Sequence, residues 1–311
     1  MESPLPRGNP SWVVIVNPAS ASGNTGRQWS RNESLLRNLL PPFEAWQTTH
    51  PGHGRELAQK AVDFGFATIA VHGGDGTINE VANGLLTGTE NGTSLAFLPN
   101  GTGADLVRTL GISHSLLKAA RQARLGTPQP IDIGQAQFTD LEGRPARRYF
   151  TNVTDVGFGG DLVRYVNSHS KKLGGKLSFL QGLLVTLFRY QNKNIGITLD
   201  GRKILEIRAS SIVVANGQYF GGGMWVAPEA RLNDGLFEVV IVGDVSKTDV
   251  LANTRRLYQG TLAEHPKVKT FKAKTVELTS EEEVLIDLDG ELVGRLPARF
   301  QILPQKLFVI F

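Results

Sequence analysis

A unit of apolar strand, glycine-bearing loop and amphipathic helix recurs along the first part of the chain, and this grammar constrains the fold more than any other feature. Trp12–Val16 is a continuous apolar run rich in β-branched residues, which reads as a strand buried on both faces. It leads into Asn17-Pro18, a small-residue loop over Ala19–Gly26, and a polar helical pattern that stops at Pro41-Pro42. Glu44–Thr49 reads as a short strand, and Gly54–Phe64 as a helix with Leu57, Ala61 and Phe64 near one face. Ala67–Val71 is a second buried strand, ending in the loop His72–Thr77. The next helix places Ile78, Val81, Ala82 and Leu85 on one stripe. Ser94–Leu98 is a third strand, followed by Pro99–Gly103 and a helix opening at Asp105–Leu110. Strand, loop and helix in this order predict an α/β domain with a parallel sheet over residues 1–127.

The grammar changes after the Pro128–Pro130 boundary. Tyr149–Val153, Ile195–Leu199, Ser211–Ala215, Leu236–Val242 and Thr275–Leu278 read as strands, with a helix at Leu173–Tyr190 between them. The expectation is a second, mainly β domain over residues 128–311, built as a sandwich. Its final segment, about residues 297–311 and including the strand pattern Lys306–Phe311, is a candidate to pack back on the first domain.

Three loops follow strands of the α/β domain: Asn17–Gly26, Gly73–Thr77 and Asn100–Gly103. Glycine lets backbone N–H groups approach a phosphate closely, and a helix N-terminus adds a favourable partial charge. In an open α/β sheet that end of the strands is where ligands bind. Asp75 among these glycines would repel phosphate unless a cation intervened, so Mg²⁺ with Asp75 as an oxygen ligand is one reading. An N-terminal cap for the helix starting at Thr77 is the other. Asn79 and Glu80, in the first turn, either touch nucleotide or suit the helix dipole. No Gly-x-x-x-x-Gly-Lys-Ser/Thr, protein-kinase set, Gly-x-Ser-x-Gly or six-residue dinucleotide fingerprint occurs.

Composition narrows the chemistry further. The absence of cysteine excludes disulfides, thiolate zinc sites and cysteine nucleophiles. The net charge, 33 − 29 = +4, permits an anionic partner without selecting one. The first ten residues do not form a signal-peptide pattern, and no apolar run reaches the ~18–20 residues of a membrane span. The expectation is therefore a cytoplasmic protein with at most peripheral contact at the inner membrane face. The six histidines suggest no site; His50 and His53 are close but lie in a Pro/Gly loop with no carboxylate apparent beside them.

Several blocks together resemble the diacylglycerol kinase and sphingosine kinase superfamily, nearest its soluble bacterial lipid kinases. They are Asn17-Pro18, GGDGTINEVANGL (Gly73–Leu85), PNGTGADLVRTLG (Pro99–Gly111), NVTDVGFGGDLV (Asn152–Val163), ANGQYFGGGMWVAPEARLNDGLFEVVIV (Ala215–Val242) and DLDGE (Asp287–Glu291). They occur in order across nearly the whole chain. The resemblance implies a nucleotide-binding α/β domain of the NAD kinase and diacylglycerol kinase type, a β-sandwich, and nucleotide in the cleft between them. It implies ATP and Mg²⁺ as cofactors and a membrane lipid, such as diacylglycerol, as phosphate acceptor. Asn17, Thr48, Gly73, Gly74, Asp75, Gly76, Thr77, Ile78, Asn79 and Thr102 would line the ATP site, with Glu80 and Asp105 close by. Asp289 would be the general base, with Glu291 nearby. A structural Mg²⁺ would be held by Asp234 and the carbonyls of Arg231 and Leu236. Two positions depart from the family pattern: Ala104 replaces a usual Asn, and Asn233 stands where many members carry an Asp.

The residues themselves leave Asp289-Gly290 open between a catalytic base and a hairpin turn, because Asp-Gly is a standard hairpin dipeptide and a tight turn can present a carboxylate. From Gly143 to Arg208 twelve Lys/Arg face four Asp/Glu. Lys171, Lys172 and Lys176 precede the apolar stretch Leu177–Phe188, which suits an anionic membrane surface, or a core-facing helix with solvated lysines, or both if the helix lines a lipid channel. A nucleic-acid partner is not expected, and a homodimer stays open. The competing functions are a soluble-metabolite kinase of the NAD kinase type and a non-catalytic nucleotide-binding regulator.

Overall fold

The computed structural model describes residues 11–87, 92–100, 104–169 and 175–311, without the side chains of residues 175–180, 204 and 205. The chain divides into two compact units: one runs to Asp132 and resumes over Gln305–Phe311, and the other is Ile133–Pro304.

The first unit contains β1 (Trp12–Val16), α1 (Asn24–Leu39), β2 (Phe43–Gln47), α2 (His53–Asp63), β3 (Thr68–His72), α3 (Asp75–Thr87), β4 (Ser94–Phe97), α4 (Asp105–Thr109) and α5 (Leu116–Leu125). Its strands run in the order β2-β1-β3-β4, all parallel, and Phe308–Ile310 pairs parallel to β4. Every residue of β1 and β3 is buried, as their unbroken apolar character requires. Trp29 and Leu36 of α1 and Ala120 and Ala123 of α5 pack with Val14, Val16, Ala70 and Ala96. Each fully buried Val, Leu or Phe in such a core contributes about 1.5–3 kcal/mol. Helices α2 and α3 pack on each other and against β1 and β3. A Cβ on Gly84 would lie 2.4 Å from the Arg55 carbonyl oxygen, so this close crossing requires glycine.

The second unit opens within β5 (Pro128–Asp140) and closes within β17 (Glu291–Ile310). Between them lie β6 (Pro145–Phe150), β7 (Val153–Gly157), α6 (Phe158–His169), α7 (Gly175–Arg189), β8 (Lys193–Leu199), β9 (Arg202–Ala209), β10 (Ser211–Ala215), β11 (Tyr219–Phe220), β12 (Met224–Trp225), β13 (Phe237–Val242), α8 (Lys247–Gln259), β14 (Val268–Ala273), β15 (Thr275–Thr279) and β16 (Leu285–Leu288). One antiparallel layer runs β14-β13-β10-β7-β16-β17. The other runs β9-β8-β15-β17, and β5 pairs with β6. Phe150, Val156, Ile197, Ile212, Phe237, Leu278, Ile286 and Phe300 share the sandwich core.

Three local readings change. The strand expected at Tyr149–Val153 is the junction of two strands, broken at Thr151-Asn152. Helix α6 is hidden in sequence by Gly159-Gly160, poor helix formers, yet a Cβ on Gly160 would lie 2.6 Å from Leu285, so the glycine is what lets α6 lie on β16. Helix α8 carries a capping box, Ser246 with Asp249, a readable start signal that the sequence reading missed.

Candidate active site

In the first unit the three loops are stitched together at the C-terminal ends of β1, β3 and β4. The Asn17 amide donates to the His72 carbonyl (3.0 Å), and Asn17 Nδ2 donates to Thr77 Oγ1 (2.8 Å). Asn17 Oδ1 accepts from the Ala19 amide at 3.0 Å, which fixes the start of the first loop. The Asn100 amide donates to Gly73 O (3.1 Å), and its Nδ2 reaches Thr25 Oγ1 (2.9 Å). The Thr48 amide donates to Val16 O at 2.9 Å, bringing the loop after β2 to the same edge. His72 is wholly buried beneath them, with Nδ1 against the Leu98 carbonyl (2.8 Å) and Nε2 against Asn32 Nδ2 (3.2 Å). Burial holds its pKa below the ordinary imidazole value, so a neutral ring braces the second loop.

The open surface lies at the start of α3. A Cβ on Gly74 or on Gly76 would meet nothing within 4 Å, whereas one on Gly73 would strike Thr77 Oγ1 at 2.8 Å. This is a helix N-terminus with bare backbone on its approach, the donor arrangement that suits a phosphate. Asp75 is the first residue of α3, and its carboxylate reaches the start of another helix. Its Oδ2 accepts the Ala104 amide (2.6 Å) and its Oδ1 the Asp105 amide (3.0 Å), so it caps α4 across thirty residues of chain. Ala104 is held at φ 54°, the left-handed region where Asn is tolerated far better than Ala, which gives a reason for the Asn that the resemblance leads one to expect there. Asp105 is buried.

The other expected nucleotide residues are placed differently from one another. Ile78 is core, and its amide donates to Gly74 O. Asn79 is buried and accepts from Asn83 Nδ2. Glu80 clamps the loop before α2, taking the amides of Gly52 (2.8 Å) and Gly54 (2.9 Å). Thr102 lies outside the described residues, as do Gly101 and Gly103.

In the second unit Asp289 and Gly290 form the two-residue connection of the β16–β17 hairpin, with φ of 51° and 88°. The hairpin therefore exists, and it aims the Asp289 carboxylate at the β6–β7 junction. Oδ2 accepts the Thr151 amide (2.8 Å) and Thr151 Oγ1 (3.1 Å); Oδ1 accepts the amides of Asn152 (3.1 Å) and Val153 (3.0 Å). That junction is braced in turn. Asn216 Nδ2 donates to Thr151 O (2.8 Å), and Asn152 Nδ2 donates to Tyr219 O (2.7 Å). Three sequence blocks, around Asn152, Asn216 and Asp289, thus converge on one carboxylate. Glu291 pairs with Arg148 at 2.8 Å.

Asp234 Oδ1 accepts the Leu236 amide (3.1 Å), and Oδ2 lies 3.7 Å from Lys272 Nζ. Behind it, Glu238 is 5% exposed and its Oε2 has no hydrogen-bond partner among the described residues. Burial first, then the charges of Glu229 and Asp234, raise its pKa above the ordinary value. An orphaned buried carboxylate oxygen beside further carboxylates is a donor set that fits a hard divalent cation near Arg231, Asp234 and Leu236.

Sequence reasoning also missed a buried acid pair. Asp155 of β7 stands directly opposite Asp287 of β16, and both are buried. Asp155 bonds to Ser211 Oγ and to the Gly159 amide, while Asp287 Oδ1 has no partner among the described residues. Burial raises Asp155 to about 6; burial and then the Asp155 charge raise Asp287 well above the ordinary carboxylate range. The alternation of β7, with Val156 in the sandwich core, is the signal that could have placed Asp155 on the opposite face under α6.

On α7, Leu187 is buried whereas Leu184 and Phe188 are 43% and 58% exposed, so the segment has both a core side and an apolar outer side. Lys171 and Lys172, and the side chain of Lys176, lie outside the description. No helix among the described residues is long and apolar enough to cross a membrane.

Comparison with known proteins accords with this geometry. Residues 11–136 match the diacylglycerol kinase catalytic domain, and residues 153–311 match the YegS C-terminal NAD kinase β-sandwich-like domain. The chain belongs to the diacylglycerol kinase and YegS-like lipid kinase family. Among the members of this lipid kinase family, a diacylglycerol kinase of Bacillus subtilis (strain 168) is 31% identical, over 96% of this chain and 95% of its own. A Bacillus anthracis str. Sterne crystal structure, provisionally assigned as a diacylglycerol kinase, is 26% identical, covers 96% of both chains and superposes with a TM-score of 0.74. An Archaeoglobus fulgidus NAD kinase solved with ATP shares the fold at a TM-score of 0.52 and 14% identity, over 96% of this chain and 92% of that one. The expected fold class, a parallel α/β unit and a β-sandwich-like unit of NAD kinase type, is the one observed.

Proposed function

We propose that this protein is an ATP-dependent lipid kinase that transfers the γ-phosphate to the hydroxyl of diacylglycerol or a closely related membrane lipid. What carries the reading is the stitched loop cluster in a member of this family: bare backbone at Gly74 and Gly76 beside a helix start, held by Asn17, Thr77 and Asn100. In this reading the amides at the start of α3, with Asn17, Thr48, Thr77 and Thr102, bind the ATP phosphates. Ile78, Asn79, Glu80 and Asp105 act from behind, by packing and by holding the loops in place. Mg²⁺ would neutralise phosphate charge near Asp75, and a second ion would stabilise the loop of Arg231, Asp234 and Leu236.

The acceptor hydroxyl attacks the γ-phosphorus as the bond to the β-γ bridging oxygen breaks and ADP leaves. The hydroxyl proton passes to Asp289. A carboxylate offers about four acceptor positions. Among the described residues, three backbone amides and the Thr151 hydroxyl donate to Asp289. Of these four donors the hydroxyl can swing away, which favours Oδ2 as the oxygen that takes the proton. Glu291, paired with Arg148, holds the start of β17 in place beside the hairpin. The exposed apolar side of α7 suits peripheral contact with a lipid surface.

The test is transfer of labelled γ-phosphate from ATP and Mg²⁺ to diacylglycerol, a sphingoid base, ceramide, phosphatidylglycerol or NAD, the lipids being presented in mixed micelles. Label in diacylglycerol is the expected result; label in NAD alone refutes the lipid reading. Asp289→Asn should lower transfer by ~10²-fold or more while ATP binding stays unchanged. Parental turnover in that variant would overturn the base assignment.

A further inference from the structure

We infer that His50, His53 and Glu56 form a binding site for a first-row transition-metal cation, zinc in the first instance, at the start of α2. The pair of histidines alone is unremarkable in sequence, because no carboxylate is evident beside them. Helix α2 supplies one. His53 and Glu56 are three residues apart and therefore share a face of the first helical turn. His50, in the loop before the helix, folds back so that its ring stacks on His53 with centroids 4.6 Å apart. Ligand atoms of the three side chains all lie within 4.8 Å of one another, and among the described residues this is the only such group.

The hydrogen bonding around His50 supports the assignment, and that around His53 allows it. His50 Nδ1 lies 3.1 Å from the Pro51 carbonyl, which can only accept, so Nδ1 carries the proton and Nε2 presents its lone pair. A histidine that donates its second N–H to a backbone carbonyl is oriented as metal-bound imidazoles usually are. His53 Nδ1 lies 3.0 Å from both the Thr49 amide and Thr49 Oγ1. The amide donates to Nδ1 when the proton is on Nε2. On metal binding at Nε2 the proton moves to Nδ1, where Thr49 Oγ1 accepts it, and the amide, in an exposed residue, turns to water. The Glu56 carboxylate makes no hydrogen bond or ion pair among the described residues and can supply the third ligand.

Two imidazoles and a carboxylate suit Zn²⁺ and its first-row neighbours rather than Mg²⁺, which prefers oxygen ligands. Three protein ligands leave a coordination position for water or another small ligand. The site also has a mechanical link to the loop cluster. The ion would pin the segment from His50 to Glu56, and Glu80 of α3 already holds the amides of Gly52 and Gly54 within it.

The experiment is calorimetric titration of the full chain with ZnCl₂ in excess Mg²⁺, repeated with His50→Ala, His53→Ala and Glu56→Gln, each checked for folding by circular dichroism. One equivalent of zinc should bind the parent, and each histidine variant should weaken binding by at least the ~10–100-fold that loss of even an outer-shell partner costs. Co²⁺ substitution should give a visible spectrum of nitrogen and oxygen ligation that is lost in the His53 variant. Absence of stoichiometric binding, or parental affinity in the His50→Ala/His53→Ala double variant, overturns the site.

Discussion

Asp155→Asn should stabilise this protein near neutral pH, by an amount that shrinks as pH falls toward about 4. Asp155 is 4% exposed, lies opposite Asp287, and has a hydroxyl and an amide as its hydrogen-bonding partners rather than a cation. Burial raises its pKa from 3.8 to about 6, which corresponds to about 3 kcal/mol of preference for the protonated acid in the folded state. The folded value lies above the unfolded one. The contribution is therefore fully present below ~3.8 and is lost as pH rises through about 6. Asp287 shifts in the same direction, so its contribution falls over the same sense of pH change. The buried Tyr190 hydroxyl, raised above its ordinary value by burial and then by the Asp155 charge, offers no cation to compensate. An asparagine reproduces the shape of the protonated acid and cannot ionise. Urea unfolding of the second unit's transition, at about pH 5 and pH 8, should show the variant ahead at both, by up to ~3 kcal/mol at pH 8 and by roughly half of that at pH 5. A variant no more stable than the parent at pH 8 would refute the reasoning, as would an equal change at both pH values.

Two other substitutions follow from local geometry. Ala104→Asn should stabilise the protein by up to ~1 kcal/mol, because φ is 54° there and asparagine tolerates the left-handed region; a lowered melting temperature would count against this. Mg²⁺ should raise the melting temperature of the nucleotide-free parent and should fail to do so in Asp234→Ala; equal increments in both would exclude Asp234 as a cation ligand.

The fold was largely legible because its signals are local. Unbroken apolar runs marked β1 and β3, and a change from helical to strand periodicity marked the second unit. The Asp-Gly dipeptide marked the β16–β17 turn. What sequence left unread depends on contacts between distant segments. Asp75 and Glu80 sit on a glycine loop and a helix start, where residue type alone leaves a metal, a cap and a nucleotide contact open. Only the folded chain brings the Ala104 and Asp105 amides to one and the Gly52 and Gly54 amides to the other. The carboxylate that His50 and His53 lack in the sequence reading is Glu56, which only the folded loop brings beside both rings. The β7–β16 register is likewise nonlocal, so two unremarkable aspartates become a buried pair only once the sheet is assembled.

The Asp289 clamp separates placement of the proposed base from its availability, and Thr151 allows the two to be distinguished. Three amides hold the carboxylate whatever side chain stands at position 151, whereas the fourth donor is the Thr151 hydroxyl at 3.1 Å. Thr151 is 2% exposed, so valine fills the same space but removes that donor. Loss of a hydrogen bond to a charged acceptor should cost about 1.5–3 kcal/mol of stability. Turnover should hold within a few-fold, because backbone amides still orient the carboxylate and the acceptor hydroxyl no longer has to displace a competitor. Denaturant unfolding and steady-state transfer on the same Thr151→Val preparation would read both quantities. A loss of turnover as deep as that expected for Asp289→Asn would mean that the hydroxyl takes part in the proton transfer itself. Unchanged stability would mean that the amides alone satisfy the carboxylate.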